Sequence, residues 1–260
     1  MLRSGSSGSS PAMNLSSVLI GLILLGSGCA DAVTTRAASA EPTMSAVKSG
    51  TEASSPSAET SSAPAQKNAA GLPATISGPA IGAAAPDFTL KDLDGKEVSL
   101  AAFKGKTVVL EWFNPGCPFV KSSHGKGSLK GFSERVMKDG VVWIAINSGA
   151  PGKQGHGIDT NREGAKAFGA TNPILIDESG ATGKAYGATN TPQMVIVDAK
   201  GGIVYKGAID NSPDGGRDSP QPDGAKLVNY VEQALAELKD GKPVSVPETK
   251  PYGCGVKYGS

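Results

Sequence analysis

Residues Thr107 to Val120 read TVVLEWFNPGCPFV. The first seven, Thr107 to Phe113, form an unbroken run of mostly apolar, β-branched and aromatic residues. That is the pattern of a central strand buried on both faces, with Glu111 as its one ionisable member. Asn114-Pro115-Gly116 ends the strand, and Pro118 suits the first turn of a helix predicted over Cys117–Lys138. Gly125, Gly127 and Gly131 weaken the middle of that helix. Cys117 therefore sits where a buried strand stops and a helix starts. Unpartnered backbone N–H groups and the helix dipole favour an anion there. Such a site lowers a thiol pKa from its usual ~8.5 and makes it reactive as the thiolate. A buried structural cysteine is the plainer alternative. Against it, strand-to-helix junctions at the carboxyl end of a sheet are where α/β folds place function.

The flanking sequence builds a sheet around this unit. Upstream, Asp87–Leu90 and Glu97–Leu100 flank Asp94-Gly95, a hairpin signal. Downstream, strands are predicted at Val141–Asn147 and Pro173–Asp177, with short helices at Asn161–Phe168 and Ser179–Tyr186. Gln193–Asp198 and Ile203–Ile209 form a second hairpin. The strongest helical pattern is Asp223–Lys239, where Leu227, Val231, Ala234, Leu235 and Leu238 make one stripe and Asp223 is the expected cap. Strand, helix, strand, helix, hairpin and helix together give an α/β fold, a central mixed β-sheet with helices on both faces.

Charge and composition exclude several functions. Of 260 residues, 25 are basic and 24 acidic, a net charge of +1 that offers no field to steer nucleic acid. Three cysteines exclude a disulfide-dense scaffold or a four-cysteine zinc site, and two histidines, His124 and His156, exclude a three-histidine metal site. No cofactor is expected. Glycine and proline, 35 and 18 residues, are in excess and point to a non-globular portion.

That portion is N-terminal. Residues 15–28 are apolar but shorter than the ~20 residues of a membrane-spanning helix, and have the length of a signal peptide's apolar core. The following Leu25-Gly26-Ser27-Gly28-Cys29-Ala30 resembles a bacterial lipoprotein signal, which implies lipidation at Cys29. Ordinary cleavage after Ala30 or at Ala38-Ser39-Ala40 is the alternative. Residues 1–30 are thus read as an export signal. Residues 31–80, dominated by Ala, Ser, Thr, Pro and Gly, cannot bury enough surface to offset their ordering entropy and are read as a disordered linker. A folded domain over 81–250 and a tail over 251–260 carrying Cys254 complete the chain. The expected location is the periplasm or cell envelope, with membrane contact only through a lipid anchor.

From Ile81-Gly82-Ala83-Ala84-Ala85-Pro86-Asp87-Phe88-Thr89-Leu90, through Phe103-Lys104-Gly105-Lys106, to Cys117-Pro118-Phe119, the chain resembles the redoxins. These are the alkyl hydroperoxide reductase/thiol-specific antioxidant, peroxiredoxin-like branch of the thioredoxin-fold superfamily. The similarity continues through Tyr186-Gly187-Ala188, Thr191-Pro192 and Pro251-Tyr252-Gly253-Cys254-Gly255-Val256-Lys257-Tyr258. It implies a thioredoxin-like fold and makes Cys117 the nucleophile, standing at the first cysteine of C-x-x-C. Val120 occupies the second cysteine's place, and the P-x-x-x-T-x-x-C run of true peroxiredoxins is absent. The resemblance gives Glu111, six residues before Cys117, the place of a buried carboxylate that moves protons during thiol exchange; a glutamate reaching solvent is the alternative. It places Thr191-Pro192 at a cis-proline that lies against the active cysteine and presents backbone to a substrate, with Pro118 beside it.

Other residues are less determined. Cys254 lies in a Gly- and Pro-rich tail expected to be mobile. It is a resolving partner for Cys117, an intermolecular disulfide former, or an idle thiol. His124, two helical turns after Cys117, either shares its face or is a partly exposed helix residue, the latter being simpler. His156, in the Gly-rich loop Pro151–Gly157, is expected to be solvent-exposed or to shape that loop. Asp210–Asp218 has a calcium-like composition but lacks the spaced glutamate of a binding loop and reads as a solvated loop. Three functions follow. The first is an exported thiol oxidoreductase acting on a disulfide-bearing protein or small oxidant. The second is a peroxidase recycled by an external thiol reductant. The third is a non-catalytic binding module, with a soft metal held by Cys117, Cys254 and a histidine. Oligomeric state is left open.

Overall fold

A computed structural model describes residues 77–221 and 224–260. The expectations for the export signal, Cys29, most of the linker and Asp223 fall outside them.

A seven-stranded mixed sheet forms the frame, in the order β2-β1-β5-β4-β3-β7-β8. Its strands are β1 (Thr89–Asp92), β2 (Glu97–Ser99), β3 (Val108–Trp112), β4 (Val142–Asn147), β5 (Ile174–Ile176), β7 (Gln193–Val197) and β8 (Ile203–Gly207). The apolar run Thr107–Phe113 contains β3, an interior strand of the sheet beside the central β4. It lies parallel to β4, with Glu111 opposite Ala145, and antiparallel to β7, with Glu111 opposite Met194. The Asp94-Gly95 hairpin forms as expected, Leu90 facing Val98.

Side chains alternate along a strand, so β3 feeds two cores. Val108, Leu110 and Trp112 pack with Ile144, Ile146, Val195 and Tyr186 on one face. Val109 packs with Trp143, Met194, Phe132 and Val231 on the other, where α2 (Phe132–Lys138) and α5 (Tyr230–Lys239) lie. The short α4 (Ala181–Ala185) ends at Tyr186 on the first face.

Several helix boundaries differ from expectation. The single helix predicted over Cys117–Lys138 is broken into α1 (Pro118–Gly125) and α2. The cause is tertiary: a β-carbon at Gly127 would lie 1.9 Å from the Gly215 carbonyl oxygen, so a loop from far along the chain occupies that space. Gly131 turns the chain into α2 with φ 65°, a value glycine adopts without penalty. The last helix starts at Tyr230, capped by Asn229, whose side chain accepts from the Glu232 N–H at 3.0 Å. Leu227 therefore precedes the helix. Helix α3 (Ile158–Phe168) begins slightly earlier than expected.

The tail is not a free arm. Its β9 (Cys254–Gly255) pairs antiparallel with β6 (Asn190–Thr191), Cys254 opposite Thr191. Its glycines permit close approach, since a β-carbon at Gly253 would sit 2.2 Å from the Thr191 carbonyl oxygen.

Candidate active site

The turn between β3 and α1 is held from two sides. The Gly116 N–H donates to Asn114 Oδ1 (2.9 Å), Asn114 Nδ2 donates to the Gln154 carbonyl (3.2 Å), and Gln154 Nε2 donates to the Gly116 carbonyl (3.1 Å). This clamp presents Cys117 as the N-cap of α1, with Pro118 at its first position. Cys117 is fully buried, 0% exposed, in a cluster with Phe113, Val120, Ala145 and Ile174.

Thr191, Pro192 and Cys254 meet Cys117. The Thr191–Pro192 peptide bond is cis. The Cys117 thiol lies 3.1 Å from the Thr191 carbonyl oxygen. Cys254, brought there by β9, packs against the cluster that holds Cys117; both thiols are free. The residue missing at Val120 in sequence is thus matched in space by a thiol 137 positions downstream.

The surroundings split the two thiols. Burial pushes the Cys117 thiol up. The Cys254 thiol, the N–H groups of Val120 and Cys254, and the Thr191 hydroxyl together outweigh it, so Cys117 titrates below its ordinary value. Cys254 is pushed up to about 11 by burial and then by the Cys117 thiol and its charge, against the opposing pull of Lys257. Thiolate absorbance in a Cys29→Ser background should therefore rise in two steps, one below ~8.5, the unperturbed value, and one near 11. Cys117→Ser should abolish the first and bring the second down. A single step at the ordinary value would contradict this. The stability effects have opposite signs. The Cys117 contribution is present above the unfolded thiol pKa and lost as pH falls through the lowered folded value. The Cys254 contribution is present below the unfolded pKa and lost as pH rises through 11.

Glu111 does not reach solvent; it is 0% exposed. Its Oε1 is 2.7 Å from His124 Nε2, and its Oε2 accepts from Trp143 Nε1 at 3.0 Å. This corrects the reading of His124 as a partly exposed helix residue: it is 8% exposed because it turns inward to Glu111. Its ring stacks on Phe168 at 5.1 Å and meets Phe113 edge-on at 5.8 Å. Both aromatics also pack in the Cys117 cluster. The second histidine, His156, is paired with Glu178 at 2.8 Å. Asp210 is likewise no solvated loop residue; it is 1% exposed and accepts from the Tyr252 hydroxyl at 2.6 Å. Among the described residues no group of three or more His, Cys, Asp or Glu is placed to hold a metal, so the soft-metal reading has no ligand set there. Gln154 and Trp143 carry no signal of a site role in the sequence, and Tyr252 and Tyr258 stand there only as members of the run around Cys254.

The redoxin family profile matches residues 80–223, more than half of the chain. The chain belongs to the redoxin family. It is 33% identical over 126 residues to the thiol-disulfide oxidoreductase ResA of Geobacillus thermodenitrificans, covering 48% of this chain and 67% of that one. It is 30% identical over 135 residues to the chloroplastic peroxiredoxin Q of Triticum aestivum, covering 48% and 57%. Among solved structures, a hypothetical protein from Sinorhizobium meliloti 1021 superposes with a TM-score of 0.60 at 27% identity, over 70% of this chain and 96% of that one. An uncharacterized conserved protein from Geobacillus kaustophilus gives 0.59 at 30%, over 69% and 93%. The redoxin match ends before the segment that carries Cys254.

Proposed function

We propose that this redoxin is an exported thiol-disulfide oxidoreductase whose working pair is Cys117 and Cys254. The observation that carries this reading is the register of β9 on β6, which sets Cys254 opposite Thr191, the residue whose carbonyl oxygen lies 3.1 Å from the Cys117 sulfur beside cis-Pro192. The Cys117 thiolate attacks one sulfur of a substrate disulfide, forming a mixed disulfide and releasing the other sulfur as a thiolate. Cys254 then loses its proton and attacks the Cys117 sulfur. The substrate's second thiolate leaves and the Cys117–Cys254 bond forms. The substrate gains two electrons and two protons, and the protein must be re-reduced by an external thiol. Thr191 and Pro192 orient the incoming sulfur, and Pro118 starts the helix whose N–H groups hold the thiolate. Glu111 and His124 are the buried pair through which a proton is exchanged. Export through residues 1–30, with Cys29 as lipid anchor, belongs to the same proposal, as does the linker over 31–80.

A second reading, peroxidase chemistry, draws on the peroxiredoxin Q similarity and on the burial of Cys117, which suits a small oxidant. Parallel insulin-reduction and peroxide-consumption assays separate the two. Disulfide reduction that is lost in Cys117→Ser supports the first. Peroxide turnover without insulin reduction overturns it in favour of the second.

A further inference from the structure

The two sulfurs of the pair differ in how an outside molecule reaches them. Cys117 is fully buried, whereas Cys254 is half-buried and lies on the outer strand. The tail packs on the cluster that encloses Cys117 and is fastened on both sides of Cys254. Before it, the Tyr252 hydroxyl donates to buried Asp210 and the ring packs on Phe119 at 6.1 Å. After it, the Val256 N–H donates to the Thr189 carbonyl (3.0 Å) and the Lys257 carbonyl accepts from Ala150 (2.8 Å). The Tyr258 hydroxyl donates to the Ala188 carbonyl at 2.7 Å, and its ring fills the space above Gly180 and Gly183.

In the reduced protein these contacts are non-covalent, and the tail can lift to admit a substrate to Cys117. Once Cys117 and Cys254 are bonded, the tail is also tied covalently and stays down. We infer that the oxidised protein is re-reduced through Cys254, the external thiol attacking that sulfur while Cys117 leaves. This rests on the pairing proposed above. While the tail is down, the sulfur an outside thiol can touch is that of Cys254, which is partly exposed, whereas Cys117 stays enclosed at 0% exposure among Phe113, Val120, Ala145 and Ile174. The leaving-group order agrees, because the thiol of lower pKa departs faster and Cys117 is that thiol.

The step balances with a dithiol reductant. Its thiolate bonds to Cys254 as the Cys117–Cys254 bond breaks, and Cys117 takes the electron pair as a thiolate. The reductant's second thiol then loses its proton, attacks the first reductant sulfur and closes the reductant's own disulfide. Cys254 leaves and takes up a proton. Two electrons pass to the protein, and Cys117 emerges as the thiolate that attacks next. In a protein with an exposed first cysteine and a buried second one, the entry point would be reversed.

The test uses the full chain with Cys29→Ser, oxidised mildly and mapped by peptide mass spectrometry. It is then exposed briefly to glutathione, quenched in acid, alkylated and mapped again. The expected result is a Cys117–Cys254 linked peptide before glutathione. Afterwards, glutathione should sit on Cys254 at least about 10-fold more often than on Cys117. A linked peptide followed by equal or greater glutathione on Cys117 overturns the inference and leaves the pairing intact. Absence of any linked peptide overturns the pairing, and the inference with it.

Discussion

A protein carrying Cys254→Ser should stall after its first encounter with a disulfide. Cys117 keeps its place as the N-cap of α1 and its contact with the Thr191 carbonyl, so it still opens the substrate bond. The thiol that would release the product is gone, and release falls to a thiol from solution. Well-oriented intramolecular groups act with effective concentrations of ~10⁵ M or more, so a loss of roughly 100-fold or greater in turnover is a conservative expectation. Mass spectrometry should find mixed disulfides, or sulfenic acid after peroxide, accumulated at Cys117. A smaller change should accompany it: the Cys254 thiol helps hold the Cys117 pKa down, so the variant's thiolate should form at higher pH. Turnover at the wild-type rate would show that Cys254 is a neighbour only.

The second large effect is on stability. Glu111→Ala should strip two buried donors, His124 Nε2 and Trp143 Nε1, of their acceptor. Each buried group left unpaired costs about 1–3 kcal/mol, and the space vacated in β3 adds a cavity cost. Together these come to about 3–5 kcal/mol, which for a domain of this size lowers the melting temperature by roughly 10 °C. Glu111→Gln retains a carbonyl acceptor for one donor and should lose about half as much. Thermal unfolding followed by circular dichroism measures both. An unchanged midpoint in Glu111→Ala would mean that water replaces the carboxylate.

The parts of this fold that were legible in the sequence are those decided by local patterns. The apolar run at Thr107–Phe113 could only be a buried strand, and Pro118 after Cys117 announced the helix. Asp94-Gly95 announced its hairpin. What could not be read depends on contacts between distant segments. Gly125, Gly127 and Gly131 mark the helix as weak in its middle, but the break after Gly125 also depends on the Gly215 carbonyl lying against Gly127, a contact from far along the chain. The start of α5 was misplaced because Leu227 extends the apolar spacing while Asn229 supplies the actual cap. His124 was underestimated because its partner is a glutamate in the middle of the sheet, where a carboxylate needs donors from other elements. The tail misled most. Its glycine and proline content reads as mobility, yet Gly253 serves close backbone approach and two tyrosines fasten the segment.

The position of Cys254 in the chain carries a consequence for biosynthesis. Every strand of the seven-stranded sheet is complete by Gly207, and α5 by Lys239. The tail can therefore dock only after the segment it pairs with is in place. Until it docks, the nucleophile lacks its second thiol, and it is open to other oxidants and to other unfinished chains. A chain interrupted between α5 and Tyr252 would remain in that state permanently. Its products would be adducts and intermolecular disulfides instead of turnover, so the quality of a preparation depends on translation and processing having left these residues intact.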